Sequence, residues 1–162
     1  MTISTGDKLP QVTLVHMGKK GPEEITVADL TAGRKVAIFA VPGAFTPTCS
    51  SAHLPSFIRT RDGFAAKGVD AVICMAGNDP FVMAAWAAQT GADKAGITMV
   101  SDPTAAFAEG MGLRFDAPKA GLLARSKRYA LIAEDGVITQ LNIETSSGAC
   151  EISGGEALLA TL

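Results

Sequence analysis

Apolar runs bounded by Gly, Pro, Asn and Asp divide this chain into short elements that alternate between strand and helix. Lys35-Val36-Ala37-Ile38-Phe39-Ala40-Val41 and Val69-Asp70-Ala71-Val72-Ile73-Cys74-Met75 read as buried strands, because their Val, Ile and Phe residues suit a pleated surface. Between them Leu54, Phe57, Ile58 and Phe64 fall on or near one helical stripe that stops at Gly68, and Pro55 is expected to bend that helix. Strand, helix and strand then form a right-handed crossover unit. Asn78-Asp79-Pro80 caps a second helix whose apolar face carries Phe81, Val82, Ala85 and Trp86, with Gly91 as its stop. Ile97-Thr98-Met99-Val100 reads as a short strand, and Asp102-Pro103-Thr104 opens a small helix containing Phe107 and Met111.

The two ends of the chain differ from this middle. Gly6 to Val15 reads as an edge strand followed by a turn at Gly18-Lys19-Lys20-Gly21-Pro22. Ile25 and Val27 continue the pairing, and Thr26 or Asp29 caps a short turn near Asp29 to Thr31. Near the other end, Tyr129 to Ala133 and Val137 to Ile143 flank Glu134-Asp135-Gly136, a strong hairpin signal, and Ala157 to Ala160 reads as a terminal helix. Parallel strands followed by an antiparallel hairpin imply an α/β fold, a mixed central sheet with helices on both faces.

Composition narrows the class. A chain of 162 residues that is 48% hydrophobic and 19% charged fits one compact domain, residues 1–162, with a sizeable core. A net charge of -2 offers no basic field for nucleic acid, and no apolar stretch approaches the roughly 20 residues that span a bilayer. Met1 to Asp7 lacks the basic start and apolar centre of a secretory signal, which points to a cytoplasmic protein. Three cysteines in a chain of this length argue for reactive or buried thiols over a disulfide framework.

The chemistry gathers at Pro42-Gly43-Ala44-Phe45-Thr46-Pro47-Thr48-Cys49. Pro42 and Gly43 end the first buried strand, and Pro47 is compatible with a first helical turn, so Cys49 is expected at the start of a helix. Unpaired N–H groups and the positive end of the helix dipole favour the ionised, nucleophilic sulfur there. Thr46 stands where a Cys-x-x-Cys reductase has its first thiol, so the site carries one attacking sulfur and a hydroxyl able to bond a thiolate or an incoming oxygen. Arg125-Ser126-Lys127-Arg128 is the densest supply of the cation that a thiolate needs, and residue pattern does not choose among its three basic members. His16 and His53 lack the spacing of metal ligands and are read as structural.

The Cys49 block, with Ser50 and His53-Leu54-Pro55 after it, closely resembles the active-site signature of the peroxiredoxins, in particular the type II or peroxiredoxin-5-like subgroup of the thioredoxin-like superfamily. The likeness continues through Asn78-Asp79-Pro80-Phe81-Val82 with Trp86, Asp102-Pro103-Thr104 and Arg125-Ser126-Lys127-Arg128-Tyr129 to Asp135-Gly136. It implies a thioredoxin-like fold and a thiol-dependent peroxidase acting on hydrogen peroxide and alkyl hydroperoxides, without cofactor or metal. Cys49 is then the peroxidatic cysteine, Thr46 the hydroxyl that contacts peroxide, Pro42 the shield of the pocket, and Arg125, mapped by its position ahead of Tyr129, the guanidinium that holds thiolate and peroxide. Glutathione, glutaredoxin or thioredoxin would supply electrons. Cys74, Cys150 or neither would resolve the oxidised sulfur. The resemblance further implies a homodimer with Phe45 and Phe81 as contacts. A thioredoxin-like disulfide oxidoreductase and a non-enzymatic redox sensor are the alternatives, the first opposed by Thr46 and the second distinguished by an absence of sustained turnover.

Overall fold

The computed structural model describes residues 1–146 and 148–162; Ser147 lies outside them. In chain order the elements are β1 (Thr13–Gly18), β2 (Gly21–Thr26), α1 (Val27–Thr31), β3 (Lys35–Ala40), a π-helical turn (Cys49–His53), α2 (Leu54–Ala66), β4 (Ala71–Ala76), α3 (Pro80–Thr90), β5 (Ile97–Ser101), α4 (Ala106–Gly110), β6 (Arg114–Ala117), β7 (Leu122–Ser126), β8 (Tyr129–Glu134), β9 (Val137–Ile143) and α5 (Gly155–Leu159). Seven strands form one sheet in the order β2-β1-β5-β4-β3-β8-β9, and β6 pairs with β7 separately. β3, β4 and β5 run parallel, while β8 is antiparallel to β3 and β1 to β5. This is the mixed sheet expected from the change in pattern along the chain.

The strand period decides what each helix covers. Ala37, Phe39 and Val41 point to one face with Val72, Cys74, Ala130 and Ile132, and are covered by Leu54, Phe57 and Phe64 of α2, Trp86 of α3 and Leu158 of α5. Val36, Ile38 and Ala40 point to the other face, where Val27 and Leu30 of α1 and Phe107 of α4 pack. Phe57 lies parallel to Phe39 with ring centroids 4.0 Å apart, and Phe64 stacks on Phe57 at 5.7 Å. Each such buried ring contributes about 1.5–3 kcal/mol through burial alone. The stack fixes α2, and with it the turn that carries Cys49, against the end of β3.

Local signals account for most boundaries. Thr26 and Asp29 both act at the start of α1, closing a reciprocal capping box. Asp79 accepts a hydrogen bond from Val82 N at 2.9 Å to cap α3, which ends at Gly91 with φ 84°. Asp102 accepts from Phe107 N and Ala108 N and so opens α4. Asp135 and Gly136, with φ of 48° and 78°, make the two-residue turn between β8 and β9.

Several expectations are corrected. The outer strand is β2, whereas β1 lies second in the sheet, and Val27 belongs to α1. Pro55 does lie inside a continuous helical run, which begins at Pro47, and a π turn directly before it makes room for its ring. The buried face of α3 carries Met83, Trp86 and Ala87, and the helical period that turns these inward leaves Phe81 and Ala85 exposed. The β6–β7 hairpin has no counterpart in the expected element list.

Candidate active site

The chain leaves β3 at the centre of the sheet and enters the buried segment Pro42-Gly43-Ala44. Asn78 Oδ1 accepts from Ala44 N at 2.8 Å and pins this segment to the loop before α3. A Cβ at Gly43 would lie 2.7 Å from Arg125 Nη1, so a larger residue here would push aside the guanidinium that crosses. Phe45 then takes a left-handed conformation, φ 65°, a costly choice for a bulky residue, which turns the chain back toward the sheet. Thr46 Oγ1 donates to Gly43 O at 2.7 Å. With its proton committed there, the hydroxyl presents lone pairs, so it serves an incoming O–H group as an acceptor.

Cys49 is the first residue of the π turn and is fully buried. In a regular helix the ring of Pro55 would clash with the carbonyl of Ser51, and the wider turn, closed by Leu54 N onto Cys49 O, gives it room. Trp86 Nε1 donates to Ser50 Oγ at 3.0 Å and ties the turn to α3. The sulfur lies beneath a cleft of about 270 Å³ lined by Pro42, Thr46, Pro47, Thr48, Leu122 and Arg128, among others.

Arg128 reaches that sulfur, and Arg125 does not take the role expected of it. Arg128 Nη2 donates to Cys49 Sγ at 3.1 Å, and the side chain is buried, 2% exposed. Arg125 Nη1 instead donates to Pro42 O at 3.1 Å and lies 3.4 Å from Asn78 Oδ1. The difference follows from topology. Arg125 belongs to β7 of the small hairpin, whereas Arg128 immediately precedes β8, whose first residue Tyr129 pairs with Ala40 at the end of β3. A residue in that register enters beside the Cys49 turn; one three positions earlier bonds and clamps the Pro42 segment.

His53, read from the sequence as structural, belongs to the same cluster. Arg128 Nη1 lies 2.9 Å from His53 Nδ1, and His53 Nε2 lies 2.9 Å from Ser153 O. A guanidinium only donates, so Nδ1 accepts and Nε2 carries the proton given to the carbonyl. Burial and then the Arg128 charge push the imidazole pKa down to about 3, partly offset by the bond to Ser153, so the ring is neutral at working pH. Phe39 and Phe57 wall it in, with centroids 5.0 and 5.7 Å from its own. The spacing of four residues between Cys49 and His53 was visible in the sequence, but its meaning depends on the π turn.

The other two thiols differ. Cys74 is buried in β4, every residue of which is buried, and burial foremost pushes its thiol up, with the Cys49 charge adding to the effect and Arg128 opposing it. Cys150 is half-buried; burial raises its pKa too, with the bond to Ser153 and the Arg128 charge working the other way. Thr48 Oγ1 donates to Gly148 O at 3.0 Å, joining the Cys150 loop to the residue before Cys49. Among the described residues no group of three or more His, Cys, Asp and Glu is arranged to hold a metal.

The depressed His53 pKa makes a stability prediction. An unfolded chain takes up a proton near the ordinary value of 6.5 and the folded one only near 3, so the contribution of neutral His53 is complete above that ordinary value and is lost as pH falls through the interval. The slope approaches about 1.4 kcal/mol per pH unit for one such group. Urea unfolding at pH 7 and pH 4.5 is expected to show a larger stability loss in the parent than in His53→Gln; equal losses would contradict a buried neutral imidazole.

Comparison with known proteins places these features in a family. The Redoxin family pattern matches residues 4–159. Peroxiredoxin-2E-2, chloroplastic, of Oryza sativa subsp. japonica is 47% identical over 165 aligned residues, covering 99% of this chain and 73% of the relative. Reduced Prx3 of Vibrio vulnificus, crystallised in complex with H2O2, is 44% identical with a TM-score of 0.92 and 99% of each chain covered. Peroxiredoxin 5 of Alvinella pompejana is 31% identical with a TM-score of 0.85, covering 98% of this chain and 97% of that one. With the buried Cys49 sulfur under a guanidinium just past the end of a central strand, and relatives matched over nearly its whole length, the chain belongs to the peroxiredoxin family of the thioredoxin-like superfamily and is a peroxidase.

Proposed function

We propose that residues 1–162 act as one peroxiredoxin domain in which Cys49 is the peroxidatic nucleophile, reducing hydrogen peroxide and alkyl hydroperoxides. The observation that carries this reading is the 3.1 Å contact from Arg128 Nη2 to Cys49 Sγ, beneath a cleft that Arg128 itself lines. In the first half-reaction the thiolate attacks one peroxide oxygen, the O–O bond breaks, and hydroxide or alkoxide leaves to take up a proton as water or alcohol. Cys49 keeps the attacked oxygen as sulfenic acid. Arg128 stabilises the negative charge as it moves from sulfur to the departing oxygen. Thr46 accepts the peroxide O–H and so orients the attacked bond, and Pro42 presents an apolar wall. The crystallisation of the Vibrio vulnificus relative with H2O2 supports the substrate. Thr46, where a Cys-x-x-Cys reductase has its first thiol, opposes the disulfide oxidoreductase alternative.

In the second half-reaction a thiol condenses with the sulfenic acid, releasing water and leaving a disulfide that a further thiol reduces. Cys150 is the internal thiol favoured for this step, because its loop is bonded to the Cys49 turn through Thr48 and its own thiol is half-buried. Cys74 would have to leave a central strand held by pairing on both sides. Glutathione, glutaredoxin or thioredoxin then completes the cycle. A homodimer forms part of the proposal, with Phe45 (48% exposed) and Phe81 (65% exposed) as contacts.

Cys49→Ser is expected to abolish peroxide consumption; turnover at the parent rate would reject the site. Peptide mapping after one equivalent of peroxide, without added thiol, is expected to return a Cys49–Cys150 link. A Cys49–Cys74 link, or sulfenic acid that persists until glutathione is added, would reject Cys150 as the resolving thiol. Sedimentation at micromolar concentration is expected to give a dimer, and a monomer would remove that part.

A further inference from the structure

Glu144 takes no part in the cleft, yet its carboxylate is heavily committed. Its Oε1 accepts from Glu151 N at 2.6 Å, Ile152 N at 2.8 Å, Ser153 N at 2.8 Å and Ser153 Oγ at 2.9 Å. Three successive backbone N–H groups converging on one oxygen form a nest that suits an anion. Burial by itself would raise the pKa of this group, but the bonds from Ser153, Glu151 and Ile152 outweigh it and hold the carboxyl below its usual range. Glu144 N also donates to Arg128 O at 3.0 Å, extending the β8–β9 ladder by one pair.

The loop held in this way ends at Ser153, whose carbonyl accepts from His53 Nε2. We propose that Glu144 is a positioning residue for Cys49: by fixing residues 151–153 it holds the Ser153 carbonyl against His53, which keeps the Nδ1 lone pair turned toward Arg128 and Arg128 on the sulfur. This rests on the reading of Cys49 as the attacking thiol. The physical need is specific. A neutral imidazole has two tautomers, and the one protonated at Nδ1 would set a donor against the Arg128 donor. A carbonyl fixed at Nε2 excludes that tautomer, and a carbonyl on a loose loop does not. The charged and titratable groups acting on the relay are Arg128 beside His53, Cys49 on Arg128, and Cys150, which neighbours Ser153 and feels the Glu144 charge. A carboxylate that merely stapled the loop would stabilise the fold without altering the sulfur.

The test uses the full reduced chain and reads both the single-turnover rate with H2O2 and the rate at which iodoacetamide alkylates Cys49, followed by peptide mapping. Glu144→Ala is expected to lower both rates about tenfold, as loss of a hydrogen bond to a charged group does. In a His53→Ala background the same substitution is expected to change either rate by no more than about twofold, because the relay is already broken. Glu144→Gln, which keeps a carbonyl oxygen for the nest but not the charge, is expected to give a smaller loss in both. Parent-like rates in Glu144→Ala with a lowered melting temperature, or losses that multiply in full in the double variant, would overturn the proposal. If Glu144→Ala does not fold, parent-like rates in Glu144→Gln overturn it. Peroxide consumption by Cys49→Ser would instead reject the underlying site, whereas Cys49 alkylation still reports whether the relay exists.

Discussion

A guanidinium buried to 2% exposure is expensive to remove from water, and the rest of this molecule is arranged around giving it partners. Arg128 donates to the Cys49 sulfur and to a histidine that burial keeps neutral. The sulfur accepts from one nitrogen of the fork and the imidazole from the other. Three distant parts of the chain are thereby committed to one point: the turn after β3, the residue before β8, and the loop before α5 that supplies the Ser153 carbonyl. The peroxidase reading depends on that convergence. A thiol in the same turn without the guanidinium would be an ordinary core cysteine.

The sheet makes the convergence possible. β3 lies between β4 and β8, so the end of β3 and the start of β8 meet through the pairing of Ala40 with Tyr129. Residues just outside that pair, Val41 onward and Arg128, must then lie side by side. The stack of Phe39, Phe57 and Phe64 sets the depth of α2, and His53, one residue before α2, is carried into contact with Phe39. Packing thus does for His53 what pairing does for Arg128.

What could be read from the sequence is what local chemistry decides. The buried runs at β3 and β4, the Asp79 cap, the Asp135-Gly136 turn and the placement of Cys49 just after a Pro-Gly break each follow from a few adjacent residues, and the structure shows them. The choice between Arg125 and Arg128 could not be made in that way, since it depends on where the β6–β7 hairpin stops and β8 begins. The role of His53 was hidden for a similar reason: in a regular helix it would follow Cys49 by a little over one turn, and the π turn changes that phase. Pro55 was the available signal. Its ring requires either a kink or a wider turn before it, and only the tertiary setting chose between them.

The most direct measurement is the single-turnover rate of H2O2 reduction in Arg128→Lys and Arg125→Lys. It can be followed through the one tryptophan, Trp86, whose indole donates to Ser50 beside the reacting sulfur. Lysine keeps the charge but loses the planar fork that spans sulfur and imidazole. A rate about a hundredfold below the parent is predicted for Arg128→Lys, the scale of losing a preorganised donor at a developing charge. Arg125→Lys, whose guanidinium clamps the Pro42 segment from outside, is predicted to stay within about tenfold, the scale of one lost hydrogen bond to a charged donor. A parent-like rate in Arg128→Lys, or a greater loss in Arg125→Lys, would contradict the account.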